Sequence, residues 1–169
     1  ILRNGIVALC QKERFLSLIH DFVIFDAGIK KVARHNQYFA NIAARQRIHD
    51  KDGGIIWNTQ GSGKSLIMVW LTKWIIENVP DSRVVIITDR EELDDQIERN
   101  FIGVDENIYR TSSGKDLLRV LNEKEEWLMC SLIHKFGRQS EEGDYEAFIE
   151  ELKKNMGTDF KAKGDIYVF

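Results

Sequence analysis

The sequence contains little cysteine and proline and has no long apolar run. Its two cysteines, Cys10 and Cys130, are far apart and lack the spacing of metal ligands. Such sparse cysteine argues against a disulfide-held scaffold and favours a reducing compartment, so we expect a cytoplasmic protein. No apolar run approaches the ~20 residues that a membrane span needs, and residues 1–10 lack the order of a signal peptide. We therefore expect no membrane partner.

The sequence also lacks a large excess of charge of either sign. Of its 169 residues, 43% are hydrophobic and 30% are charged, and the formal net charge is −3. This composition excludes a disordered or fibrous protein. It also excludes a protein that coats nucleic acid by bulk positive charge, but it is compatible with a local basic track.

The length is about that of one domain. The chain begins at Ile1 without a methionine and ends at Phe169 within an apolar run. We therefore expect an excised piece of a longer protein.

The first part of the chain has a helical pattern. Four apolar residues between Phe15 and Phe22 are spaced i, i+3, i+4 and i+7, as on one stripe of a helix. This spacing predicts a helical lead-in over residues 1–32, with Gly28 at its end or in a turn soon after it. A second, more polar helix is predicted over about residues 31–49, followed by a turn at 50–53.

From Gly54 onward, short continuous apolar runs alternate with helical patterns. Continuous apolar runs are typical of strands buried on both faces of a parallel sheet, and strand–helix alternation gives right-handed crossovers. The sequence therefore predicts an α/β fold with a parallel sheet. The predicted strands are 54–57, 84–87, 107–110, 128–130 and 166–169. The predicted helices are centred on 66–74, 93–101, 117–121 and 145–152, the last ended by Gly157.

The most informative stretch is a glycine-rich loop between a predicted strand and a predicted helix. Gly61 and Gly63 let the backbone approach an anion and adopt positive φ, and the N–H groups lie near a helix N-terminus. In such a phosphate-binding loop, Lys64 would reach the β- and γ-phosphates and the Ser65 hydroxyl would hold Mg²⁺. The predicted ATP-binding residues of the loop are Thr59, Gln60, Gly61, Ser62, Gly63, Lys64 and Ser65, with Lys64 also predicted to be catalytic.

The loop departs from the strict pattern G-x-x-x-x-G-K-[ST], because Asn58 stands at the first position. The alternative is a glycine-rich turn that caps a helix and binds nothing. Chance placement of such a sequence between a strand and a helix is rare, because glycine makes up only about 7% of residues. Nucleotide binding is therefore the favoured interpretation.

Residues on both sides of the loop suggest which nucleotide and which partner. Upstream, the amide of Gln37 has a donor and an acceptor that could recognise adenine, although a lone glutamine on a helix is usually a surface residue. Downstream, Thr88 and Arg90 follow a predicted strand, where a hydroxyl and a cation suit a nucleic-acid backbone; a solvated helix cap is the alternative. Ser131 and Lys135 occupy a similar position after the next predicted strand.

Taken together, these blocks resemble the first motor domain of a superfamily 2 helicase. Arg34 with Gln37 resembles the Q motif, Thr59–Ser65 motif I, and Thr88–Gln96 motif Ia, while Ser131 resembles the next DNA-contacting motif. The residues in and around these motifs most resemble those of the restriction (R) subunit of type I restriction–modification enzymes. The matching residues are 3–6, 13–16, 30–31, 37–40, 53–57, 59–65, 88–90, 93–96 and 135–136.

Two positions depart from that family, which usually has His at the position of Asn58 and Tyr at that of Arg34. Residues 138–163 match nothing in it. The resemblance implies residues 1–32 as a lead-in from a preceding domain and residues 33–169 as a RecA-like P-loop ATPase domain. In that family the Asp-Glu box would follow Phe169.

The resemblance implies a motor that uses ATP and Mg²⁺ to translocate double-stranded DNA before cleavage, together with modification and specificity subunits. It places Thr88, Arg90, Ser131 and Lys135 as DNA contacts. We expect the isolated chain to hydrolyse ATP negligibly. The alternatives are another superfamily 2 helicase, a small-molecule P-loop kinase, and a scaffold that binds nucleotide without hydrolysing it.

Overall fold

The structure is a computed structural model that describes residues 7, 10–88, 90–123, 125–132, 156 and 160–169. The chain divides after Asn78 into two compact units, here named the N-terminal unit and the C-terminal unit. Among the described residues, no helix is long and apolar enough to cross a membrane.

The N-terminal unit begins with helix α1 (Lys12–Asp21), followed by a hairpin of strands β1 (Val23–Asp26) and β2 (Ile29–Val32). The predicted helical lead-in over residues 1–32 is therefore wrong from residue 23 onward. The physical reason is the turn: Ala27 and Gly28 both adopt positive φ (48° and 79°), the backbone of a two-residue hairpin turn. The strands pair antiparallel, with Val23 opposite Val32.

The apolar stripe predicted for this part of the chain lies on α1, but α1 itself stays uncovered. No residue of α1 is buried, and Phe15 and Ile19 are about half exposed, whereas Phe22, just beyond the helix, is fully buried. The spacing indicated the helix itself but not which neighbour would cover its face.

The two other helices of this unit carry its core. Helix α2 (His35–His49) begins four residues later than predicted, because Lys31 and Val32 belong to the hairpin, and helix α3 (Lys64–Asn78) packs against it. Both helices were predicted. Their buried residues include Asn41 on α2 and Trp70 on α3.

Residues 54–57 do not form the predicted strand. Ile55 and Trp57 are 90% and 91% exposed, and the only sheet among the described residues of this unit is the β1–β2 hairpin. A strand requires a neighbour to accept and donate backbone hydrogen bonds, and this run has none here.

The C-terminal unit is built on a parallel sheet, as predicted. Its strands are β3 (Ser82–Thr88), β4 (Tyr109–Arg110), β5 (Leu128–Leu132) and β6 (Asp165–Val168), in the order β4-β5-β3-β6. Helices α4 (Glu91–Ile102) and α5 (Gly114–Asn122) lie between them along the chain. All four strands correspond to predicted strands. The helix predicted around residues 145–152 and the stop at Gly157 lie outside the described residues.

The two central strands are buried on both faces. Val84, Val85 and Ile86 on β3 and Leu128, Met129 and Cys130 on β5 are at most 2% exposed. Ile86 pairs with Cys130 and Ile87 with Ser131. Cys130 is a small core residue, and burial raises the pKa of its thiol to about 12, so it stays protonated. Cys10 is exposed.

Arg83 is a charged residue buried within this core. It is 2% exposed and donates to the backbone oxygens of Val120 (2.7 Å), Leu121 (2.9 Å), Glu126 (2.8 Å) and Lys163 (3.2 Å). Two of these acceptors lie in the last turn of α5, where helix carbonyls have no partner within the helix. Arg83 therefore joins the end of α5 to the segments that precede β5 and β6. Burial lowers its pKa.

Candidate functional site

The glycine-rich loop connects the exposed segment 54–57 to the first turn of α3. Gly61 and Gly63 have φ values of 75° and 79°, as the sequence predicted for this loop. The backbone N–H of Ser62 donates to the oxygen of Thr59 at 3.3 Å, and the oxygen of Gly63 accepts from the first turn of α3. The loop therefore turns tightly and leads directly into a helix N-terminus.

Gln37 on α2 fastens this loop. Its Nε2 donates to the backbone oxygens of Ser62 (3.0 Å) and Gly63 (3.3 Å), while its Oε1 accepts from the backbone N–H of Arg34 (2.8 Å). Gln37 is 3% exposed. Gln37 therefore lies against the loop, and both ends of its amide already have partners, the nitrogen in the loop and the oxygen at Arg34. Recognition of adenine by Gln37 stays a prediction.

The contact with Gln37 explains why glycine stands at position 63. A Cβ atom added there would lie 2.4 Å from Nε2 of Gln37, closer than any real contact, and the φ of 79° is in the region that favours glycine. A side chain at position 63 would therefore be strained by the backbone conformation and would displace the Gln37 amide from the loop.

The ammonium of Lys64 lies over the mouth of the loop. Its Nζ donates to the backbone oxygens of Thr59 (3.1 Å) and Asn58 (3.3 Å), and the residue is exposed. These acceptors are neutral carbonyls, and a phosphate would be a stronger acceptor for the same cation. Lys64 is therefore available to an incoming anion.

A cluster of aromatic residues around Arg45 supports the two helices that carry Gln37 and Lys64. The Arg45 guanidinium lies between the rings of Phe22 (4.7 Å) and Trp74 (5.0 Å), and its Nη1 bonds Asp21 at 2.6 Å. Burial acts to raise the pKa of Asp21, but hydrogen bonds from Arg45 and His20 outweigh it and hold that pKa below its usual value. This cluster fixes the relative position of α2 and α3.

The loop has the chemistry of an anion site. It combines an exposed ammonium, glycine backbone next to a helix N-terminus, and hydroxyls on Thr59, Ser62 and Ser65. The buried Ser62 Oγ has no hydrogen-bond partner among the described residues. These groups fit a nucleotide triphosphate. No group of three or more acidic, His or Cys side chains that could hold a metal lies among the described residues.

The residues predicted to contact DNA lie in the C-terminal unit and differ in accessibility. Thr88 ends β3, is 7% exposed, and its Oγ1 has no hydrogen-bond partner in the part of the chain that the structure describes. Arg90 is exposed and precedes α4 as its N-cap. Lys135 lies outside the described residues.

Ser131 is fully buried in the structure. It lies one residue before the end of β5, and its Oγ accepts a hydrogen bond from the hydroxyl of Thr111 at 2.7 Å. Thr111 also donates to the backbone oxygen of Cys130. In this conformation the Ser131 hydroxyl holds β5 to the residue after β4 rather than facing solvent, so its predicted contact with DNA stays a prediction.

The sequence did not indicate the ion pair between Asp94 and Arg110. Asp94 on α4 is fully buried, and its Oδ2 lies 2.5 Å from Nε of Arg110 on β4. Arg110 also contacts Asp95 (2.8 Å) and Glu98 (3.5 Å). Asp94 belongs to the stretch that resembles motif Ia, so this ion pair fixes the helix that follows Arg90.

Comparisons with known proteins point to one family. The sequence profile of the SWI2/SNF2 ATPase family matches residues 36–168, which include Gln37 and the whole loop.

Curated relatives agree with the resemblance seen in the sequence. The chain is 29% identical over 154 residues to the putative type I restriction enzyme MjaIXP endonuclease subunit of Methanocaldococcus jannaschii. It is 33% identical over 132 residues to the type I restriction enzyme HindI endonuclease subunit of Haemophilus influenzae. These matches cover 83% and 70% of the chain but only 14% and 11% of the relatives.

The chain thus spans a small part of the length of these relatives, whereas the SWI2/SNF2 profile covers most of the chain itself. The resemblance to the R subunit is confirmed for the region that they share. On the strength of the profile match, the chain belongs to the SWI2/SNF2 ATPase family.

Proposed function

We propose that the loop from Thr59 to Ser65 binds the phosphates of ATP, and that this chain is the ATP-binding part of the DNA translocase of a type I restriction endonuclease R subunit. The observation that carries the proposal is the geometry of the loop. The loop contains two glycines with positive φ, Gln37 bonds it at Ser62 and Gly63, and the ammonium of Lys64 stands exposed at the start of a helix.

Each group of the loop has a definite part in this proposal. Lys64 neutralises charge on the β- and γ-phosphates, and the backbone N–H groups of Gly61 and Gly63 donate to phosphate oxygens. The Ser65 hydroxyl is an oxygen ligand of the kind that Mg²⁺ prefers, and the metal would polarise the bond to the terminal phosphate. The surrounding residues Thr59, Gln60 and Ser62 line the same site.

The proposed DNA contacts belong to the C-terminal unit. Arg90 is the strongest of them, because it is exposed and follows the carboxyl end of a parallel strand, where such sheets bind ligands. Thr88 is a second candidate because its buried hydroxyl is not used by the described residues. Ser131 would need to leave Thr111, and Lys135 is carried by the resemblance.

The proposal extends to the whole enzyme. The relatives are type I restriction endonuclease subunits, so we propose double-stranded DNA and the modification and specificity subunits as partners, in the cytoplasm. Hydrolysis in such motors also needs a group that activates water and an arginine from a second domain, worth roughly 10³–10⁵ in rate. The isolated chain should therefore bind ATP but hydrolyse it negligibly.

The test uses the full-length subunit assembled with its partners. Lys64→Ala should abolish DNA-stimulated ATPase activity, triplex displacement and plasmid cleavage together, because losing one such preorganised group costs ~10²–10³ in rate or more. Lys73→Ala, on the same helix, is the matched control. If the unmodified subunit binds nucleotide without hydrolysing it, the result favours the alternative of a scaffold that only binds nucleotide. If it hydrolyses ATP at a rate that DNA does not raise, the result favours a small-molecule P-loop kinase. Cleavage at the original rate without translocation would refute the restriction-subunit proposal.

A further inference from the structure

One polar side chain at the start of the phosphate loop has no role in the structure itself. Nδ2 of Asn58 is buried and has no hydrogen-bond partner among the residues that the structure describes. Native proteins seldom leave a buried amide nitrogen unpaired, because the group loses its water without regaining a bond. An unpaired donor in a loop suited to anions therefore points to a ligand that accepts from it.

The position of Asn58 relative to Lys64 identifies which part of the ligand it can reach. The backbone oxygen of Asn58 accepts from Nζ of Lys64 at 3.3 Å, so the first residue of the loop lies beside the ammonium. An asparagine amide is separated from its backbone by only two rotatable bonds. Its N–H groups therefore lie close to the ammonium, and a rotation of the side chain would turn them toward an anion bound there.

We propose that Asn58 is a further nucleotide-binding residue, whose Nδ2 donates to the terminal phosphate of the triphosphate. This inference rests on the proposed function and deepens it. In phosphate loops, backbone N–H groups hold the inner phosphates and the lysine reaches the β- and γ-phosphates. Because the backbone N–H groups already hold the inner phosphates, we assign the Asn58 donor, on the residue that contacts the lysine, to the γ-phosphate. Asn58 would then distinguish a triphosphate from a diphosphate.

The experiment compares two probes on the full-length subunit, the β,γ-imido analogue of ATP and ADP, each with Mg²⁺ and without DNA. Asn58→Ala should weaken binding of the analogue by about tenfold or more, because a hydrogen bond to a charged oxygen is lost, and ADP by less than about twofold. Asn58→Asp keeps the size of the side chain but replaces the donor with a negative charge. It should weaken binding of the analogue more than Asn58→Ala does. Asn58→His keeps an N–H donor and should restore most of the selectivity.

Two controls separate the possible failures. Asn78→Ala changes an exposed asparagine at the far end of α3, whose Nδ2 bonds Trp74, and should leave both affinities unchanged. Lys64→Ala tests the loop itself. If Lys64→Ala weakens the analogue but Asn58→Ala changes both probes equally or neither, the inference about Asn58 is overturned and the proposed function stands. If Lys64→Ala has no effect on the analogue, the proposed function itself fails.

Discussion

Replacing Gln37 by alanine should weaken ATP and GTP binding by the same factor. The side chain makes three hydrogen bonds, one from the backbone of Arg34 and two to the loop at Ser62 and Gly63. Truncation removes all three and takes these partners from the Arg34 N–H and the Ser62 oxygen, whereas the Gly63 oxygen keeps its bonds from α3; the cost is about 1–3 kcal/mol. If these hydrogen bonds hold the loop in its binding conformation, their loss should lower the affinity for both nucleotides by a factor of about 5–150.

Recognition of adenine by Gln37 would give a different result. One hydrogen bond to the base is worth about 0.5–1.5 kcal/mol, so its loss would narrow the preference for ATP over GTP by roughly three- to tenfold. Parallel titrations of fluorescent ATP and GTP analogues against the full-length subunit measure both quantities. The two roles of the same amide are therefore separable in one experiment.

Two further variants make the comparison sharp. Gln37→Glu keeps the acceptor for Arg34 but sets a carboxylate against the oxygens of Ser62 and Gly63, and should be at least as damaging as alanine. Gln46→Ala removes an exposed glutamine of the same helix whose side chain bonds Asp50, and should leave both affinities unchanged. Unaltered ATP affinity in Gln37→Ala would refute the role of this residue in holding the loop.

Three other predictions concern the C-terminal unit. Arg90→Ala should weaken DNA binding equally across DNA sequences, and it should reduce the slope of log affinity against log salt concentration by about one. Fluorescence anisotropy at several salt concentrations measures this slope. An unchanged slope would show that Arg90 does not contact a phosphate. Arg83→Met should lower the free energy of unfolding by about 3 kcal/mol in urea titrations, because it removes four hydrogen bonds from a buried guanidinium to backbone oxygens; a loss below about 1 kcal/mol contradicts this. The pKa of Asp116 is lowered, chiefly by the backbone N–H of Ser112, against the effect of burial. The stabilisation of the folded state by ionised Asp116 should therefore be complete above the ordinary carboxyl pKa. It should disappear as the pH falls through the lowered pKa of the folded state. Asp116→Asn should flatten this part of the stability–pH curve, and an unchanged slope would refute that assignment.

The sequence predicted the sheet of the C-terminal unit well, because its strands carry their signal locally. Residues 84–87 and 128–130 are continuous apolar runs, as a strand buried on both faces requires. The same signal at residues 54–57 was misleading. An apolar run indicates what a strand needs to bury, but a strand also needs a hydrogen-bonded neighbour, and no local pattern supplies that. The hairpin at 23–32 was missed because the helical spacing of Phe15–Phe22 ends directly before it and the predicted helix was extended across it.

Part of the candidate site could likewise be predicted from one short stretch of the sequence. Glycines at 61 and 63, followed by Lys64 and Ser65, specify a tight turn and a helix start within a few residues. The hydrogen bonds that hold this loop were not predictable in the same way. Gln37 lies 25 and 26 residues before its two acceptors, and its amide chemistry was equally compatible with a base, a loop or solvent.

Three of the contacts that the sequence could not indicate share one physical feature. Gln37, Lys64 and Arg83 all donate to backbone oxygens, and every residue type carries such an oxygen. The partner of such a side chain is therefore set by the fold alone. A pair of two side chains, such as Asp94 and Arg110, at least places two complementary chemical types in the sequence, although their spacing did not identify them as partners. Gly63 differs from these contacts, because its positive φ and the Gln37 amide beside it both favour glycine, a residue that is visible in the sequence.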